Sequence, residues 1–257
     1  MPNKLLRKIA RRTGLGRLFR TVLSWKNICL VKGPLTYNQD GLATQHNSDF
    51  LESEKFIQAY QAGKETGSWG SSDIQWRAYI ACWLAQRAMS LEGDFAECGV
   101  NRGGLARTVM EFVNFKNTER RFFLLDTYCG VPDESLSSAE RKLGRVAGGY
   151  DECYDAVRTI FSTYPNAIII RGAVPSTLGQ VDAKRIAYLS LDMNCVEPEI
   201  EAAKYFWARM TNGAAILLDD YGWNGHNEQK KAFDIFAHER GTEVLALPTG
   251  QGLIFHP

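Results

Sequence analysis

From about residue 71 onward, short apolar runs alternate with segments of helical periodicity. The predicted strands are 94–99, 121–126, 167–172, 186–192 and 214–220, and most of them end in Asp or Gly. The predicted helices are 74–91, 104–115, 151–163, 196–210 and 227–240. Uninterrupted apolar strands that are separated by helices indicate a parallel sheet covered on both faces.

Two further predicted strands, 243–248 and 252–257, close the chain and are joined by "TGQG". This connection is too short for a helical crossover, so the two strands should pair as an antiparallel hairpin. We therefore predict an α/β fold with a doubly wound, Rossmann-like sheet that is mostly parallel and has a C-terminal antiparallel hairpin. In such sheets, ligands bind beyond the carboxyl ends of the strands.

Charge divides the chain into two parts. Nine basic residues precede the first acidic residue, Asp40, although the formal net charge of all 257 residues is only +1. We predict a basic N-terminal arm with a helical or lid segment over 1–70, and a second domain, which contains the sheet, over 71–257. Residues 1–26 have apolar positions at helix-like spacing. This pattern is compatible with contact to an anionic membrane surface, with binding of a partner, or with a tail packed on the body.

The six cysteines form no C-x-x-C pair, and several lie in or beside apolar segments. This pattern favours reduced thiols in a cytoplasmic protein over a disulfide framework. No apolar stretch is long enough for a transmembrane helix. Residues 129–150 form a long polar loop. A loop of that length is either a lid or a solvated insertion.

The segment "ECGVNRGG" follows the first predicted strand of the sheet and opens a helix. Its glycines allow a close backbone approach to a ligand, but their spacing differs from the dinucleotide fingerprint G-x-G-x-x-G. Glu97, just before the first glycine, suits a ligand with a positively charged amino group. Asp126 ends the next strand, where a carboxylate can accept hydrogen bonds from ribose hydroxyls or cap a turn. The order of these features favours a ligand that contains adenosine, with Ala173 and Val174 as a wall for adenine.

Three aspartates end neighbouring predicted strands: Asp192, Asp219 and Asp220. Crowded carboxylates repel one another, and a hard divalent cation such as Mg²⁺, Mn²⁺ or Ca²⁺ would relieve that repulsion. The alternative is that one Asp caps a helix and another pairs with an arginine. No His/Cys cluster indicates zinc, because His226 alone is insufficient.

These motifs together resemble a known family. The segments "GDFAECGVNRGG", "FFLLDTYCGVPD", "IIRGAVPSTL", "YLSLDMN" and "GAAILLDDYG" are similar to those of the macrocin O-methyltransferases. That family consists of class I S-adenosylmethionine (SAM) enzymes that methylate sugar hydroxyls in natural products, usually with Mg²⁺. The resemblance covers about 71–257 and implies a SAM-dependent O-methyltransferase domain there.

The resemblance also implies roles for individual residues. The implied SAM-binding residues are Glu97, Gly99, Asn101, Gly103, Asp126, Thr127, Gly172, Ala173 and Val174. The implied metal ligands are Asp192, Asp219 and Asp220, and Asp192 also counts as catalytic. Many members have an acid, proposed as the general base, where this chain has Asn194. An amide cannot accept that proton. His226 is the substitute that we predict, and a local hydrogen bond is the alternative role for its side chain.

The expected partner is a small-molecule hydroxyl acceptor, either a sugar of a glycosylated natural product or polysaccharide precursor, or a catechol-like compound. We also expect a homo-oligomer. Nucleic acid is not an expected partner, because the chain from Asp40 onward has 21 basic and 29 acidic residues and the basic arm has few aromatic residues. Two other functions stay open at this point. One is a SAM-binding protein without catalysis, and the other is a nicotinamide-dependent oxidoreductase, which the glycine spacing disfavours.

Overall fold

The structure is a computed structural model, and it describes residues 33–257. Contacts divide the described residues into two compact units, one with 33–38 and 43–48 and the other with 39–42 and 49–257. Two short strands, β1 (Tyr37–Gln39) and β2 (Leu42–Thr44), form a ribbon. The arm 1–26, with its predicted membrane contact, lies outside the described residues. No described helix is long and apolar enough to cross a membrane.

Two helices precede the main sheet. These are α1 (Glu54–Lys64), whose first turn is capped by the Ser53 hydroxyl, and α2 (Gln75–Ala88). Phe56 and Tyr60 of α1 are buried in an aromatic cluster with Trp69 and Tyr79. Because these contacts bury large apolar areas, they attach 49–70 to the larger unit. The division predicted at residue 71 stays a prediction.

The main sheet has the strands β3 (Asp94–Cys98), β4 (Phe122–Asp126), β5 (Ala167–Arg171), β6 (Ile186–Leu191), β7 (Met210–Leu218), β8 (Leu245–Ala246) and β9 (Gly252–Phe255). Their order is β5-β4-β3-β6-β7-β9-β8. Strands β3 to β7 pair in parallel, and β9 is antiparallel to both β7 and β8. The predicted mostly parallel sheet with a C-terminal antiparallel hairpin is therefore confirmed.

The helices between the strands are α3 (Gly104–Phe112), α4 (Ser138–Lys142), α5 (Tyr154–Ile160), α6 (Val196–Trp207) and α7 (Asn227–His238). Each of the five predicted helices extends two or three residues beyond the observed end of its helix. The helix predicted to reach residue 210 ends at Trp207, because Met210 already pairs with Ile186 of the sheet. The helix predicted over 151–163 covers only α5.

Apolar residues fill both faces of the sheet, as the uninterrupted strand patterns predict. Every residue of β6 is buried. One apolar cluster includes Leu189 and packs with Phe206 and Phe233 of the helices α6 and α7. The cluster on the opposite face includes Tyr188 and packs against Val109 of α3. Strands that are buried on both faces cannot slip in register without exposing apolar surface, so the strand ends keep fixed positions.

The loop 129–150 contains α4 and a bridge between Val131 and Gly148. Glu140 of α4 is 4% exposed. Its Oε2 accepts a hydrogen bond from the Ser137 N–H at 2.8 Å, and its Oε1 accepts one from the Val196 N–H at 2.9 Å. The loop is thus tied to the beginning of α6 by a buried carboxylate.

Candidate active site

One cavity of about 210 Å³ lies at the carboxyl ends of the central strands. Its wall includes most of the residues predicted from sequence: Glu97, Gly99, Asn101, Asp126, Thr127, Gly172, Ala173, Val174 and Asp192. The loop 129–150 adds Gly130, Val131, Pro132, Ser135 and Tyr150. Ser68 and Trp69, which precede α2, complete one side. The loop therefore lines the cavity, as a lid would, and is more than a solvated insertion.

Gly99 lies where β3 ends beside β6. Its φ is +88°, and a Cβ at this position would lie 1.8 Å from the carbonyl oxygen of Asp192. Only glycine can adopt this backbone conformation without a clash. The close approach keeps the glycine-rich loop against the end of the strand that carries Asp192.

Gly103 begins α3 in the left-handed conformation, with φ of +83°. A Cβ there would lie 2.4 Å from the Phe161 ring. The next residue, Gly104, donates its N–H to the Ser68 hydroxyl at 2.8 Å. Gly103 therefore packs against the Phe161 ring and does not line the cavity, whereas Gly104 does.

Asp126 connects the glycine-rich loop to β4. Its Oδ2 accepts hydrogen bonds from the N–H groups of Val100 at 2.6 Å and Asn101 at 2.7 Å. Its Oδ1 accepts a third from the Tyr128 N–H at 2.7 Å, so the carboxylate also caps the following turn. Oδ2 thus has both lone pairs engaged, whereas Oδ1 keeps one, because the single hydroxyl proton of Thr127, 3.3 Å from Oδ1, is closer to the Gly130 carbonyl oxygen at 2.6 Å. Capping the turn therefore does not prevent Asp126 from accepting a bond from a ligand at the cavity.

Glu97 is 2% exposed, lies on the cavity wall, and has an Oε2 atom without a hydrogen-bond partner among the described residues. Burial raises the pKa of Glu97 well above its ordinary value, and the neighbouring charges of Asp219 and Asp126 add to that effect. A buried carboxylate without a partner is unfavourable by itself. A cationic ligand group at the cavity would supply the missing donor and the compensating charge.

Asp192, Asp219 and Asp220 come together after β6 and β7. One carboxylate oxygen from each lies within 4.8 Å of the other two. Burial, followed by repulsion from Asp219, raises the pKa of Asp220 to about 7. The same two causes, in the same order, raise the pKa of Asp192 well above its ordinary value. The cluster therefore has the repulsion that the sequence predicts.

The hydrogen bonds of this cluster show how it could hold a metal. Asp219 Oδ2 lies 2.5 Å from Arg77 Nη1, and its Oδ1 accepts a bond from Gln251 Nε2 at 3.1 Å. The buried Oδ2 of Asp220 accepts no hydrogen bond from the described residues. Hard oxygen donors with one unpartnered buried oxygen fit a cation such as Mg²⁺. The arginine pairing considered as the alternative is also present, on the same carboxylate.

His226 lies directly before α7, and its Nδ1 is 3.3 Å from Asp220 Oδ2. The same Nδ1 is 2.5 Å from Gln229 Oε1, and Gln229 Nε2 donates to Glu199 Oε1 at 3.0 Å. Since the amide oxygen can only accept, this network assigns the proton of neutral His226 to Nδ1. Burial, reinforced by Arg145, lowers the pKa of His226. His226 does not line the described cavity, whereas Asn194 does and donates to Asp192 Oδ1 at 3.2 Å.

Sequence patterns did not reveal several residues of this site. Glu199 is only 3% exposed, although it lies in the first turn of an amphipathic helix. Its carboxylate accepts hydrogen bonds from the N–H groups of Met193 and Asn194. Burial and the charge of Asp220 raise the pKa of Glu199 to about 8. Arg77 is more than a hundred residues away from its carboxylate partner Asp219. A long-range pairing of this kind has no local signal.

Comparison with known proteins agrees with this architecture. A family profile described as macrocin-O-methyltransferase (TylF) matches residues 79–245. The O-methyltransferase NovP is similar in structure, with a TM-score of 0.60 and 20% identity over 70% of this chain and 79% of that chain. The calicheamicin methyltransferase CalS11 has a TM-score of 0.55 and 15% identity over 88% of this chain and 99% of that one.

A third similar structure is the Podospora anserina methyltransferase PaMTH1 with bound SAH, with a TM-score of 0.52 and 15% identity over 88% of this chain and 100% of that chain. Among curated proteins, none matches by sequence. The similar structures confirm the predicted Rossmann-like methyltransferase fold. Since the family profile covers more than half of the residues, the chain belongs to the macrocin-O-methyltransferase (TylF) family and is a SAM-dependent O-methyltransferase.

Proposed function

We propose that this enzyme transfers the methyl group of SAM to a hydroxyl of a small molecule with the help of a hard divalent cation. The acceptor that we favour is a sugar of a glycosylated natural product or polysaccharide precursor. The observation that carries this proposal is the cluster of three carboxylates within 4.8 Å at the edge of the cavity. Family membership favours an enzyme over a non-catalytic SAM-binding protein and over a nicotinamide-dependent oxidoreductase.

The cofactor side of the cavity would be formed by the glycine-rich loop and the residues that follow β4 and β5. Glu97 would accept a hydrogen bond from the amino group of SAM, because its carboxylate is buried and its Oε2 has no partner among the described residues. Asp126 would accept a hydrogen bond from a ribose hydroxyl with the remaining lone pair of its Oδ1. Ala173 and Val174 would border adenine, and both line the cavity. In this arrangement SAM supplies the methyl group, and the protein holds the donor in place.

Asp192, Asp219 and Asp220 would hold Mg²⁺ or another hard divalent cation. A cation bound there would lower the pKa of the acceptor hydroxyl. The acceptor would lie against Tyr150 and Asn194, which line the cavity near these carboxylates. Asn194 cannot accept the proton of the hydroxyl, but its amide orients Asp192.

His226 is the base that we propose. With its proton on Nδ1, the imidazole has an acceptor lone pair on Nε2, and the lowered pKa keeps the ring neutral at pH 7. Gln229 would fix the ring orientation, and Glu199 in turn fixes the amide of Gln229. The alternative is that His226 only supports Asp220 through their 3.3 Å contact.

The nature of the sugar rests on similar proteins. CalS11 is described as a TDP-rhamnose 3'-O-methyltransferase in calicheamicin biosynthesis. A cation held by three carboxylates suits adjacent oxygens of a sugar and equally those of a catechol. A panel of nucleotide sugars, glycosides and catechols, assayed with SAM labelled in its methyl group, separates these two acceptor classes.

The metal is tested by binding and by turnover. Wild-type protein should bind Mn²⁺, which reports directly in electron paramagnetic resonance, whereas Asp220→Asn should bind it at least about tenfold more weakly. Asp49→Asn is the matched control, because Asp49 is exposed and lies outside the cluster. Full turnover after treatment with EDTA, together with full activity of Asp219→Asn, would show that the metal has no role.

Other expectations remain predictions. We expect a homo-oligomer, which sedimentation equilibrium measures, and a cytoplasmic location with peripheral membrane contact through 1–26. Binding to vesicles that contain an anionic phospholipid tests that contact. A chain that lacks 1–26 should then lose vesicle binding and keep its affinity for SAH.

A further inference from the structure

We propose that Asp40 and Arg77 are positioning residues that hold the carboxylate of Asp219 for cation binding. This inference rests on the proposed function, because it assigns these two residues to the metal side of the site. Neither residue lies in the part of the chain that the family profile matches, which begins at residue 79. Asp40 is in the turn between β1 and β2, and Arg77 is in α2.

The contacts form a buried chain of three charged groups. Arg77 Nε and Nη2 donate to the two oxygens of Asp40 at 2.6 and 3.0 Å. Arg77 Nη1 donates to Asp219 Oδ2 at 2.5 Å. The side chains of Arg77, Asp40 and Asp219 are only 16%, 12% and 8% exposed. At that burial the three groups depend on one another for charge compensation, since water solvates them poorly.

The turn that carries Asp40 is shaped to present its carboxylate. Asp40 and Gly41 both have positive φ, +53° and +74°. The Arg77 guanidinium lies 5.4 Å from the centre of the Trp223 ring, and a Cβ on Gly41 would be 3.9 Å from the same ring. The guanidinium is thus held by a bidentate ion pair and by an aromatic ring from the loop that follows β7.

The arrangement leaves Arg77 with one contact to Asp219. A guanidinium can bind a carboxylate with two parallel N–H groups, and here that bidentate contact is made with Asp40. Gln251 donates to the other oxygen of Asp219. Asp219 is therefore held from two sides, and its remaining lone pairs are available next to Asp192 and Asp220.

Stability alone does not account for the three buried charges. Apolar residues can replace a buried ion pair or triad with little loss of stability, and sometimes with a gain. Residues that support metal ligands, by contrast, change metal affinity about 10- to 100-fold when they are replaced. Without the Asp40 carboxylate, the whole charge of Arg77 would face Asp219, and the guanidinium could bind both of its oxygens. A metal cation would then compete with Arg77 for the same ligand.

The test measures Mn²⁺ affinity of the full chain by electron paramagnetic resonance and SAH affinity, without metal, by calorimetry. The variants are Asp40→Asn and Arg77→Lys. The controls are Asp49→Asn and Arg87→Lys. Both of these residues are exposed, and Arg87 lies on α2, the helix that carries Arg77. We expect both variants to bind Mn²⁺ about 10- to 100-fold more weakly. Both should bind SAH within about twofold of wild type, and Asp40→Glu should recover most of the Mn²⁺ affinity.

Each outcome decides between the proposals. If both variants bind Mn²⁺ as tightly as wild type, the positioning role is wrong while the metal site stands. If wild type itself binds no Mn²⁺, the metal function fails and the positioning role falls with it. If one variant no longer binds SAH, its fold is damaged, and the other variant gives the answer. Equal losses of Mn²⁺ and SAH affinity in both would indicate a merely structural triad and overturn the inference.

Discussion

Replacing Glu97 with Gln should weaken cofactor binding and stabilise the ligand-free protein. Glu97 is 2% exposed, lines the cavity, and has one buried oxygen without a partner. Burial raises its pKa well above 4.5, with further contributions from Asp219 and Asp126. Glutamine has nearly the same volume but no charge, so the substitution removes the charge and little else.

The two effects have separate magnitudes. A hydrogen bond to a charged group contributes about 1.5–3 kcal/mol. Loss of the proposed contact with the amino group of SAH should therefore raise the dissociation constant of SAH by about 10- to 150-fold. Leaving a buried polar atom without a partner costs about 1–3 kcal/mol, and more when the group is charged; glutamine keeps a polar atom but removes the additional cost of the charge. Removal of the charge should therefore raise the melting temperature of the ligand-free chain by roughly 2–10 °C.

The pH dependence follows from the direction of the pKa shift. Because the folded chain holds the Glu97 proton more tightly than the unfolded chain does, the stability from this group is complete below pH 4.5 and is lost as pH rises toward the folded pKa. The advantage of Glu97→Gln over wild type should therefore grow between pH 5 and pH 8, within the interval where the raised pKa acts.

Calorimetry with SAH and thermal melts of ligand-free protein at pH 5 and pH 8 measure both effects. Glu92→Gln is the control, because Glu92 is exposed and precedes the same strand. The reasoning is refuted if Glu97→Gln binds SAH as tightly as wild type. It is also refuted if the variant melts at a lower temperature than wild type at pH 8, since the charge would then be stabilising in the absence of ligand.

Three further predictions concern other parts of the site. Gly99→Ala should lower the free energy of unfolding by at least about 3 kcal/mol in chemical denaturation, because its Cβ would overlap Asp192. The control is Gly144→Ala, where φ is also +88° but the Cβ has open space, and it should lower the free energy of unfolding by only about 1 kcal/mol. Glu199→Gln should flatten the loss of stability with rising pH, because the raised pKa of about 8 makes the wild type lose stability from pH 4.5 through pH 8; an unchanged slope contradicts this. His226→Asn should lower kcat about 100-fold or more with little change in KM, and an unchanged kcat would exclude it as the base.

The strand ends were the part of the site most accessible from sequence. The predicted strands stop at Gly99, Asp126 and Asp192, within one residue of the observed ends of β3, β4 and β6. Parallel strands deliver these ends to one edge, so the glycine-rich loop, Asp126 and Asp192 were predicted to share a cavity wall, and the structure places them there.

Some helix and strand boundaries were harder to predict from the sequence. The extended start of β7 at Met210 depends on pairing with Ile186, which no pattern around residue 210 reveals. Likewise, the buried state of Glu140 and Glu199 depends on backbone N–H groups that lie 56 and 5 or 6 positions away in the chain. From sequence alone, an acidic residue in a short amphipathic helix is predicted to be exposed to solvent.

The sequence by itself determined the α/β class, the order of strands and helices, the closing hairpin and the family. Those properties follow from periodicity and from short motifs, in which the informative residues are close together in the chain. Only the tertiary structure decided that Arg77 links Asp40 to Asp219, that Gln229 contacts His226, and that the loop 129–150 lines the cavity. The physical reason is that a buried charge needs a partner, and any segment that the fold brings near can supply it. The sequence around the charge therefore does not reveal which residue the partner is.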